Sequence, residues 1–352
     1  MPAVAPSVRV HLRVPGTAPM PDLMALIQSI EAAGFDGVGI LDSQMLSRDT
    51  FVVLGHAAAH TSRLLLFPAV TNPFTRHASV LAGAIQTVEE LAPGRVQFVI
   101  GTGYTSASTI GRKPATLAEM RACVGAVKAL LSGQTVDWGG TTSRLSFAAG
   151  RSIPVVMAAS GLKAIELAGE IADGVLLLVG FNEGIVEAAL SRLELGARRA
   201  GRRLEDLQII WAVRTGTAAS DEEARRLARP TVVHWGILRW GGYWLEPAGL
   251  RLPKFEIPDA VRQIYPDLSH APDWEAAIAA TSFVPDDIVA ELCDAYGLIG
   301  TSARCAERIA RMTKLGVRNL YLMPFQTFAP PDQEVRSFRD VVFPRLRELG
   351  IR

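Results

Sequence analysis

Short apolar segments alternate with stretches of helical periodicity along the chain, and this alternation limits the possible folds more than any other feature. Segments that are apolar along their whole length predict strands buried on both faces, as in a parallel sheet. Helical patterns separate most of them, so both faces of the sheet would be covered by helices. The predicted strands are Ser7–Val14, Gly37–Leu41, Arg63–Val70, Val96–Ile100, Ile153–Ala159, Gly174–Gly180, Leu207–Val213 and Asn319–Pro324.

Eight strand–helix units in a chain of 352 residues predict an α/β fold of the (β/α)8 TIM-barrel type, with residues 1–352 forming a single domain. A doubly wound open sheet is the alternative, because counting strands does not show whether the sheet closes. One long insertion, residues 230–290, separates the seventh and eighth strands and is rich in tryptophan. Such a segment is either functional or structured on its own. It would form a lid over the C-terminal mouth of the barrel or a surface subdomain with a small aromatic core, and we predict the lid.

Composition and charge restrict the class of protein. The formal net charge is +1, so no strong electrostatic field attracts nucleic acid or an acidic membrane surface. The N-terminus lacks the pattern of a signal peptide, and no uncharged apolar stretch is long enough to cross a bilayer. Three cysteines without close pairing predict a reducing, cytoplasmic environment without disulfides. The histidines have no metal-ligand spacing, so we predict no metal site.

Glycines and small polar residues occur at the ends of several predicted strands, where a parallel barrel builds its site. These strand ends are Asp42-Ser43, Thr71-Asn72-Pro73, Gly101-Thr102-Gly103, Ser160-Gly161 and Val179-Gly180. The Gly-Thr-Gly sequence resembles the start of a dinucleotide fingerprint, but Ser106 stands where the third glycine belongs and the turn is the fourth, not the first. A Rossmann site is therefore excluded. Ser160 and Gly161 open a predicted helix, whose N-terminal amides could bind phosphate.

Four sequence stretches resemble a known family when they are taken together and in order. They are "EAAGFDGVGILD", "PAVTNPFTRH", "GRVQFVIGTGYTS…IGRKPATLAEM" and "VVMAASGLKAIELAGEIADGVLL". They are similar to the bacterial luciferase-like superfamily, whose members use FMN or the deazaflavin F420. The nearest subgroup is that of methylenetetrahydromethanopterin reductase-like proteins. The resemblance covers about residues 8–217 and 300–325, whereas the insertion matches nothing in it.

The resemblance implies a TIM barrel with a flavin or deazaflavin ring over its mouth. Asp42 would lie near the ring, and a non-prolyl cis peptide bond between Ala69 and Val70 would bulge behind it. Asn72 would bind the polar edge of the ring, and Thr102 and Gly103 would face the ribityl chain. The other residues assigned to cofactor binding are Ala159, Ser160 and Gly161, whose amides would hold the phosphate, and Gly180 at the end of the sixth strand.

Two positions depart from the family pattern. Ser43 stands where many relatives carry a catalytic histidine, and Tyr104 stands where methanopterin-type members often carry an acid. The candidates for a replacement acid or base, besides Asp42, are His77 and the insertion residues His234 and His270. For each histidine, an ordinary surface position is the competing interpretation. Three tryptophans of the insertion, Trp235, Trp240 and Trp244, are predicted to line the substrate side.

These features predict an oxidoreductase, with three functions left open. The first is a two-component monooxygenase that uses O2 and FMNH2 supplied by a separate flavin reductase. The second is an F420-dependent reductase or dehydrogenase that transfers hydride to or from a small molecule. The third is a barrel that binds flavin without turnover or acts only with a partner chain. The family resemblance also implies a homodimer. A barrel that acts on phosphorylated substrates without flavin ranks last, because the strand ends lack a lysine or a set of carboxylates.

Overall fold

The computed structural model describes residues 7–148, 150, 153–239, 243–265 and 267–352. Strands occur at all eight predicted positions, and short additional strands lie between them. In chain order, the strands are β1 Arg9–Val14, β2 Gly37–Ile40, β3 Leu65–Pro68, β4 Phe98–Ile100, β5 Val136–Asp137, β6 Thr142–Ser143, β7 Val155–Ala159, β8 Gly174–Leu177, β9 Gln208–Thr217, β10 Gly297–Gly300 and β11 Asn319–Pro324.

Helices connect most of the strands, as the periodicity predicts. In chain order, they are α1 Met20–Ala32, α2 Thr50–His60, α3 Ala78–Leu91, α4 Thr105–Ser108, α5 Leu117–Leu131, α6 Leu162–Ile171, α7 Glu183–Arg199, α8 Asp221–Val233, α9 Asp259–Arg262, α10 Trp274–Ala280, α11 Asp286–Tyr296, α12 Ser302–Thr313, α13 Asp332–Ser337 and α14 Phe343–Glu348. None of the helices in the described part of the chain is both long and apolar enough to cross a membrane.

The main sheet has the strand order β3-β2-β1-β11-β9-β8-β7-β4, with β10 also paired to β9. Two parallel bridges, Leu66 with Val96 and Thr71 with Ile100, join the segments at the two ends of this order. The order therefore returns to its starting strand, which is the connectivity of a closed eight-stranded parallel barrel. The predicted (β/α)8 fold is confirmed, and the open-sheet alternative is excluded. Strands β5 and β6 form a separate antiparallel hairpin.

The contacts between residues divide the chain into two compact units. The first, which we call the N-terminal unit, comprises His11–Leu177 and Leu190–Ile210. Its core contains fully buried aromatic side chains from β3, β4 and the end of the first strand–helix unit, namely Phe67, Phe98 and Phe35. The second, the C-terminal unit, comprises Met1–Val10, Leu178–Ala189 and Trp211–Arg352, as far as these residues are described.

The C-terminal unit contains the insertion predicted at residues 230–290. Helix α8 does not end at Pro230 but continues to Val233, and a π-helical turn follows from His234 to Arg239. The chain then forms α9 and α10 and enters α11. Trp244 is fully buried, together with Tyr321 and Phe338 of the same unit. The described part of the insertion therefore consists of short helices joined by irregular segments. Its assignment as a lid stays a prediction, as does the single-domain organisation.

Candidate active site

The N-terminal unit places several strand ends in one row. Strand β2 pairs with β3, β3 is bridged to the β4 segment, β4 pairs with β7, and β7 pairs with β8, all in parallel. The carboxyl ends of these strands therefore meet at the same edge. The Thr71 backbone holds two of the ends together, because its amide donates to the Val99 carbonyl and its carbonyl accepts from the Gly101 amide. Most of the predicted cofactor-binding residues follow strands of this row.

Asp42, just beyond β2, is buried and ion-paired. Its carboxylate accepts a hydrogen bond from the Arg76 guanidinium at 2.7 Å and another from Gln44 Nε2 at 2.9 Å. Arg76 also donates to Asp49 at 2.6 Å, and Asp49 caps α2 through the Phe51 and Val52 amides. Burial alone would lower the pKa of Arg76, but the charge of Asp42 and the hydrogen bonds to both carboxylates raise it. The guanidinium therefore stays charged and fixes the orientation of Asp42.

The peptide bond between Ala69 and Val70 is cis, as the family resemblance implies. Asn72 follows it and is fully buried. Its side-chain oxygen accepts from the Phe74 and Thr75 amides at 3.0 Å each, and its nitrogen donates to Ser106 Oγ at 3.1 Å. The Asn72 side chain thus fixes the loop after β3, and its binding to a cofactor ring stays a prediction.

Gly103 lies against this loop in a left-handed conformation with φ of +76°. A Cβ atom at this position would stand 2.8 Å from Asn72 Cβ and 3.2 Å from Ser106 Oγ. A Cβ atom at Gly101 would stand 2.9 Å from Val70 Cγ2. Thr102, between the two glycines, accepts a hydrogen bond from the Ala115 amide through its carbonyl. The glycines are therefore required for close packing of the β3 and β4 ends, in addition to any approach of a cofactor.

The third part of the row is the N-terminus of α6. Ala159 ends β7 and is buried, Ser160 is half-buried, and Gly161 is the exposed N-cap residue. No side chain caps this helix, and the space where a Gly161 Cβ would stand is open within 4 Å. An exposed helix N-terminus without a side-chain cap suits a phosphate group, because the amides and the positive end of the helix dipole favour an anion.

The residues of this edge fit a flavin-type or deazaflavin-type cofactor. Such a molecule carries a flat ring, a polyhydroxylated chain and a phosphate. The N-terminus of α6, which has no side-chain cap, matches the phosphate, and Gly101 and Gly103 allow the neighbouring strand ends to pack closely beside it. Among the described residues, no cluster of histidine, cysteine and carboxylate side chains could hold a metal ion.

His77 occupies a capping position at the start of α3. Its Nδ1 atom accepts from the Ser79 amide and lies 2.8 Å from Ser79 Oγ, while its ring lies 4.7 Å from that of Trp138. The side chain is exposed. A structural role for His77 is therefore evident, and its predicted role as an acid or base stays a prediction.

The remaining predicted site residues belong to the C-terminal unit. Gly180 has φ of +134°, and a Cβ atom there would stand 2.9 Å from the Ala295 carbonyl oxygen, so close packing explains this glycine. Trp244 is fully buried beside Tyr243. Trp235 is buried, and the guanidinium of Arg214 lies 4.5 Å from the centre of its ring. Trp240 lies outside the described residues.

His234 belongs to a buried charged cluster within the C-terminal unit. Its Nε2 atom lies 4.0 Å from Asp267 Oδ1, and Asp267 also contacts His270 Nδ1 at 2.8 Å. Burial lowers the pKa of His234 to about 4, against the attraction of Asp267, and the charge of Arg214 lowers it further. Burial works to raise the pKa of Asp267, but the hydrogen bond from His270 keeps that pKa below its ordinary value. His234 is therefore neutral near pH 7.

Sequence reasoning missed the partners of the residues that it singled out. Arg76 lies in the motif "PAVTNPFTRH" directly before His77, but its pairing with Asp42 depends on two different loops meeting. Asp267 and Arg214 were also missed, because the contacts around His234 join β9, α8 and a turn far along the chain. A buried carboxylate is stable only when it is paired, so an aspartate directly after a buried strand predicts a nearby cation. This is the signal that could have identified Arg76.

Comparison with known proteins identifies the family. The family described as "Luciferase-like monooxygenase" matches residues 4–319, which is most of the chain. The chain belongs to the luciferase-like monooxygenase family. The resemblance inferred from the sequence motifs is thereby confirmed.

Two curated relatives and one solved structure show which kinds of enzyme the chain is similar to. A 5,10-methylenetetrahydromethanopterin reductase of Methanolobus tindarius is 27% identical over 82% of this chain and 86% of its own. An F420-dependent glucose-6-phosphate dehydrogenase of Beutenbergia cavernae is 31% identical over 62% of this chain and 69% of its own. The structure of a coenzyme F420-dependent tetrahydromethanopterin reductase of Methanopyrus kandleri has a TM-score of 0.76 at 22% identity, covering 96% of this chain and 99% of that one.

These relatives are similar to the chain over most of its length, and their names describe oxidoreductases. The chain is therefore a luciferase-like enzyme of the oxidoreductase class. The structural match supports the barrel fold.

Proposed function

We propose that the protein is an F420-dependent oxidoreductase that transfers hydride to or from a small organic molecule. The observation that carries the cofactor class is the open, uncapped N-terminus of α6, beside the glycine-lined ends of β4 and β7. The choice of deazaflavin is supported by the curated relatives, which include an F420-dependent dehydrogenase. This is the second of the functions predicted from the sequence, and the comparisons favour it over an FMN-dependent monooxygenase.

The residues of the N-terminal unit have distinct roles in this proposal. The amides at the start of α6, beside Ser160, would bind the cofactor phosphate. The loop held by Asn72 and Ser106 would support the ring. Asp42, fixed by Arg76, presents a carboxylate of constant orientation at the end of β2. The bound deazaflavin would supply or accept the hydride.

Ser43 has a consequence for proton transfer in this proposal. A hydride transfer to a carbonyl or iminium carbon needs a proton at the neighbouring atom only when that atom acquires negative charge. Reduction of an iminium carbon gives a neutral amine, which needs no acid. A serine in place of the family histidine is therefore compatible with an iminium-type substrate, for which the cofactor and a positioning site are sufficient.

A two-component monooxygenase is the second candidate, and the description of the matching family supports it. In that case the same edge would bind FMNH2, and a separate flavin reductase would be a partner. We also propose a small-molecule substrate and a homodimer, both of which follow from the family resemblance alone.

The proposed reaction is tested by mixing the purified protein with reduced F420 under anaerobic conditions and with a panel of iminium, aldehyde, ketone and conjugated alkene acceptors. We expect one class of acceptor to be reduced while F420H2 is oxidised, in the absence of oxygen. Catalytic O2 consumption with FMNH2, together with no oxidation of F420H2 by any acceptor, would instead establish the second candidate. The variant Ser160→Asp serves as a control with an impaired phosphate site.

A further inference from the structure

The insertion contains a cleft that none of the roles described above uses. It lies within the C-terminal unit and has a volume of about 660 Å³, which falls in the range of small-molecule sites. Two segments form most of it: the π-helical turn at residues 236–238 and the irregular segment at residues 250–257. Its apolar lining includes Ile237, Leu238, Leu250, Leu252, Phe255 and Ile257.

Both segments contribute apolar residues to the lining of the cleft. In the irregular segment, the half-buried residues Leu252, Phe255 and Ile257 are separated by exposed ones, which include Lys254 and Glu256. In the π-helical turn, His234 and Trp235 are buried, whereas Ile237 and Leu238 stay half-buried and line the cleft. π-Helical turns are rare and are frequently found at functional sites. The cleft therefore holds apolar surface that the fold itself leaves incompletely covered.

The charged residues that line the cleft favour an anion. Arg251 and Lys254 both line it and are exposed, and Glu246 is the one carboxylate among the described lining residues. Within the described parts of the chain, neither cation forms an ion pair or a side-chain hydrogen bond. Several other arginines of the same unit, by contrast, are paired with carboxylates, as Arg226 is with Glu275. Two unpaired cations at the rim of an apolar cleft match a ligand with an anionic head and an apolar tail.

We propose that this cleft binds a small amphipathic carboxylate, with its head at Arg251 and Lys254 and its hydrocarbon tail along Leu252, Phe255 and the π-helical turn. The proposal concerns a site within the C-terminal unit and is independent of the proposed F420 chemistry. It would hold even if the cofactor assignment were wrong. Binding would combine burial of apolar surface with charge-assisted hydrogen bonds to the carboxylate.

Decanoate, below its micellar concentration, is the probe that tests the proposal with the full-length protein by isothermal titration calorimetry. We expect saturable one-to-one binding that weakens with added salt, because rim charges are screened. Decyltrimethylammonium, with the same tail and the opposite charge, should bind at least about tenfold more weakly, and acetate should not bind detectably. The two neighbouring tryptophans, Trp235 and Trp244, give a second readout by fluorescence.

Paired variants separate the proposed site from non-specific adsorption. The double variant R251Q/K254Q should weaken decanoate binding by about tenfold and keep the wild-type circular dichroism and melting temperature. The double variant R262Q/K314Q removes the same charge from residues that do not line the cleft and should bind like the wild type. Absence of decanoate binding, equal binding of the two amphiphiles, or an equal loss in both double variants would overturn the proposal.

Discussion

At the scale of single residues, Gly103 occupies a position between two strand ends where only glycine fits without strain. We predict that Gly103→Ala destabilises the protein, because the new Cβ would stand 2.8 Å from Asn72 Cβ and the residue has a φ of +76°. The control is Gly111→Ala, where φ is +71° but no atom lies within 4 Å of the added Cβ. In both variants, placing alanine in the left-handed backbone conformation lowers the unfolding free energy by about 1 kcal/mol. Only Gly103→Ala adds a steric clash.

Urea unfolding measures this difference directly. We expect the unfolding free energy to fall by about 1–3 kcal/mol more in Gly103→Ala than in Gly111→Ala. Equal losses of unfolding free energy in the two variants would mean that a side chain at residue 103 does not clash with Asn72.

The Asp42–Arg76 ion pair gives a second prediction for single residues. Replacing Arg76 by methionine leaves the Asp42 carboxylate, whose side chain is 2% exposed, without its cation. The variant R76M should lose about 3 kcal/mol of unfolding free energy, whereas D42N/R76M should recover a large part of it, because no uncompensated buried charge remains. Additive losses in the double-mutant cycle would show that Arg76 does not hold Asp42.

At the scale of secondary-structure elements, the N-terminus of α6 carries the proposed phosphate site. We predict that Ser160→Asp weakens F420 binding by about tenfold or more, because a carboxylate would stand where the phosphate binds. The same carboxylate interacts favourably with the helix dipole, so the melting temperature should stay constant or rise.

The matched control for this variant is Ser302→Asp, which places the same charge at the first residue of α12. It should leave cofactor affinity unchanged. Unchanged affinity in Ser160→Asp, measured by fluorescence titration, would remove α6 from the cofactor site.

The elements differ in how far the sequence determines them. The eight barrel strands could be predicted, because each is a run of apolar residues bounded by turn residues, and the caps of α5 and α8 could be read from Thr116 and Ser220. Strand β10 could not, because its four residues follow α11 without an intervening turn. The continuation of α8 past Pro230 could not be predicted from the sequence either, because proline usually ends a helix and only tertiary packing overrides this preference.

The site was predictable where the motif is local. The cis peptide bond after Ala69 and the glycines of Gly101-Thr102-Gly103 follow from contiguous residues that resemble the family. The pairing of Asp42 with Arg76 and the cluster around His234 depend on contacts between distant segments, which a single sequence does not contain.

At the scale of the whole molecule, the buried His234 links stability to pH. Its pKa in the folded state is about 4, below the ordinary value of 6.5, because burial disfavours the charged imidazolium. The unfolded chain therefore binds a proton that the folded one does not as pH falls from 6.5 to 4. Stability from this residue is complete above pH 6.5 and is lost progressively below it, by up to about 3 kcal/mol.

The variant His234→Gln isolates this contribution, since it removes the titrating group and keeps a polar side chain. The wild type should lose more unfolding free energy than His234→Gln between pH 7 and pH 4.5, as measured by urea unfolding at each pH. Parallel pH profiles for the two proteins would show that His234 is not buried in its neutral form.

A barrel fold alone does not determine function, so the proposed activity depends on which cofactor the molecule accepts. The most direct measurement is anaerobic calorimetric titration of the purified protein with F420 and, separately, with FMNH2, with Ser160→Asp as the control. We expect F420 to bind at least about tenfold more tightly than FMNH2 and Ser160→Asp to lose this binding. Tight binding of FMNH2 with no affinity for F420 would contradict this expectation.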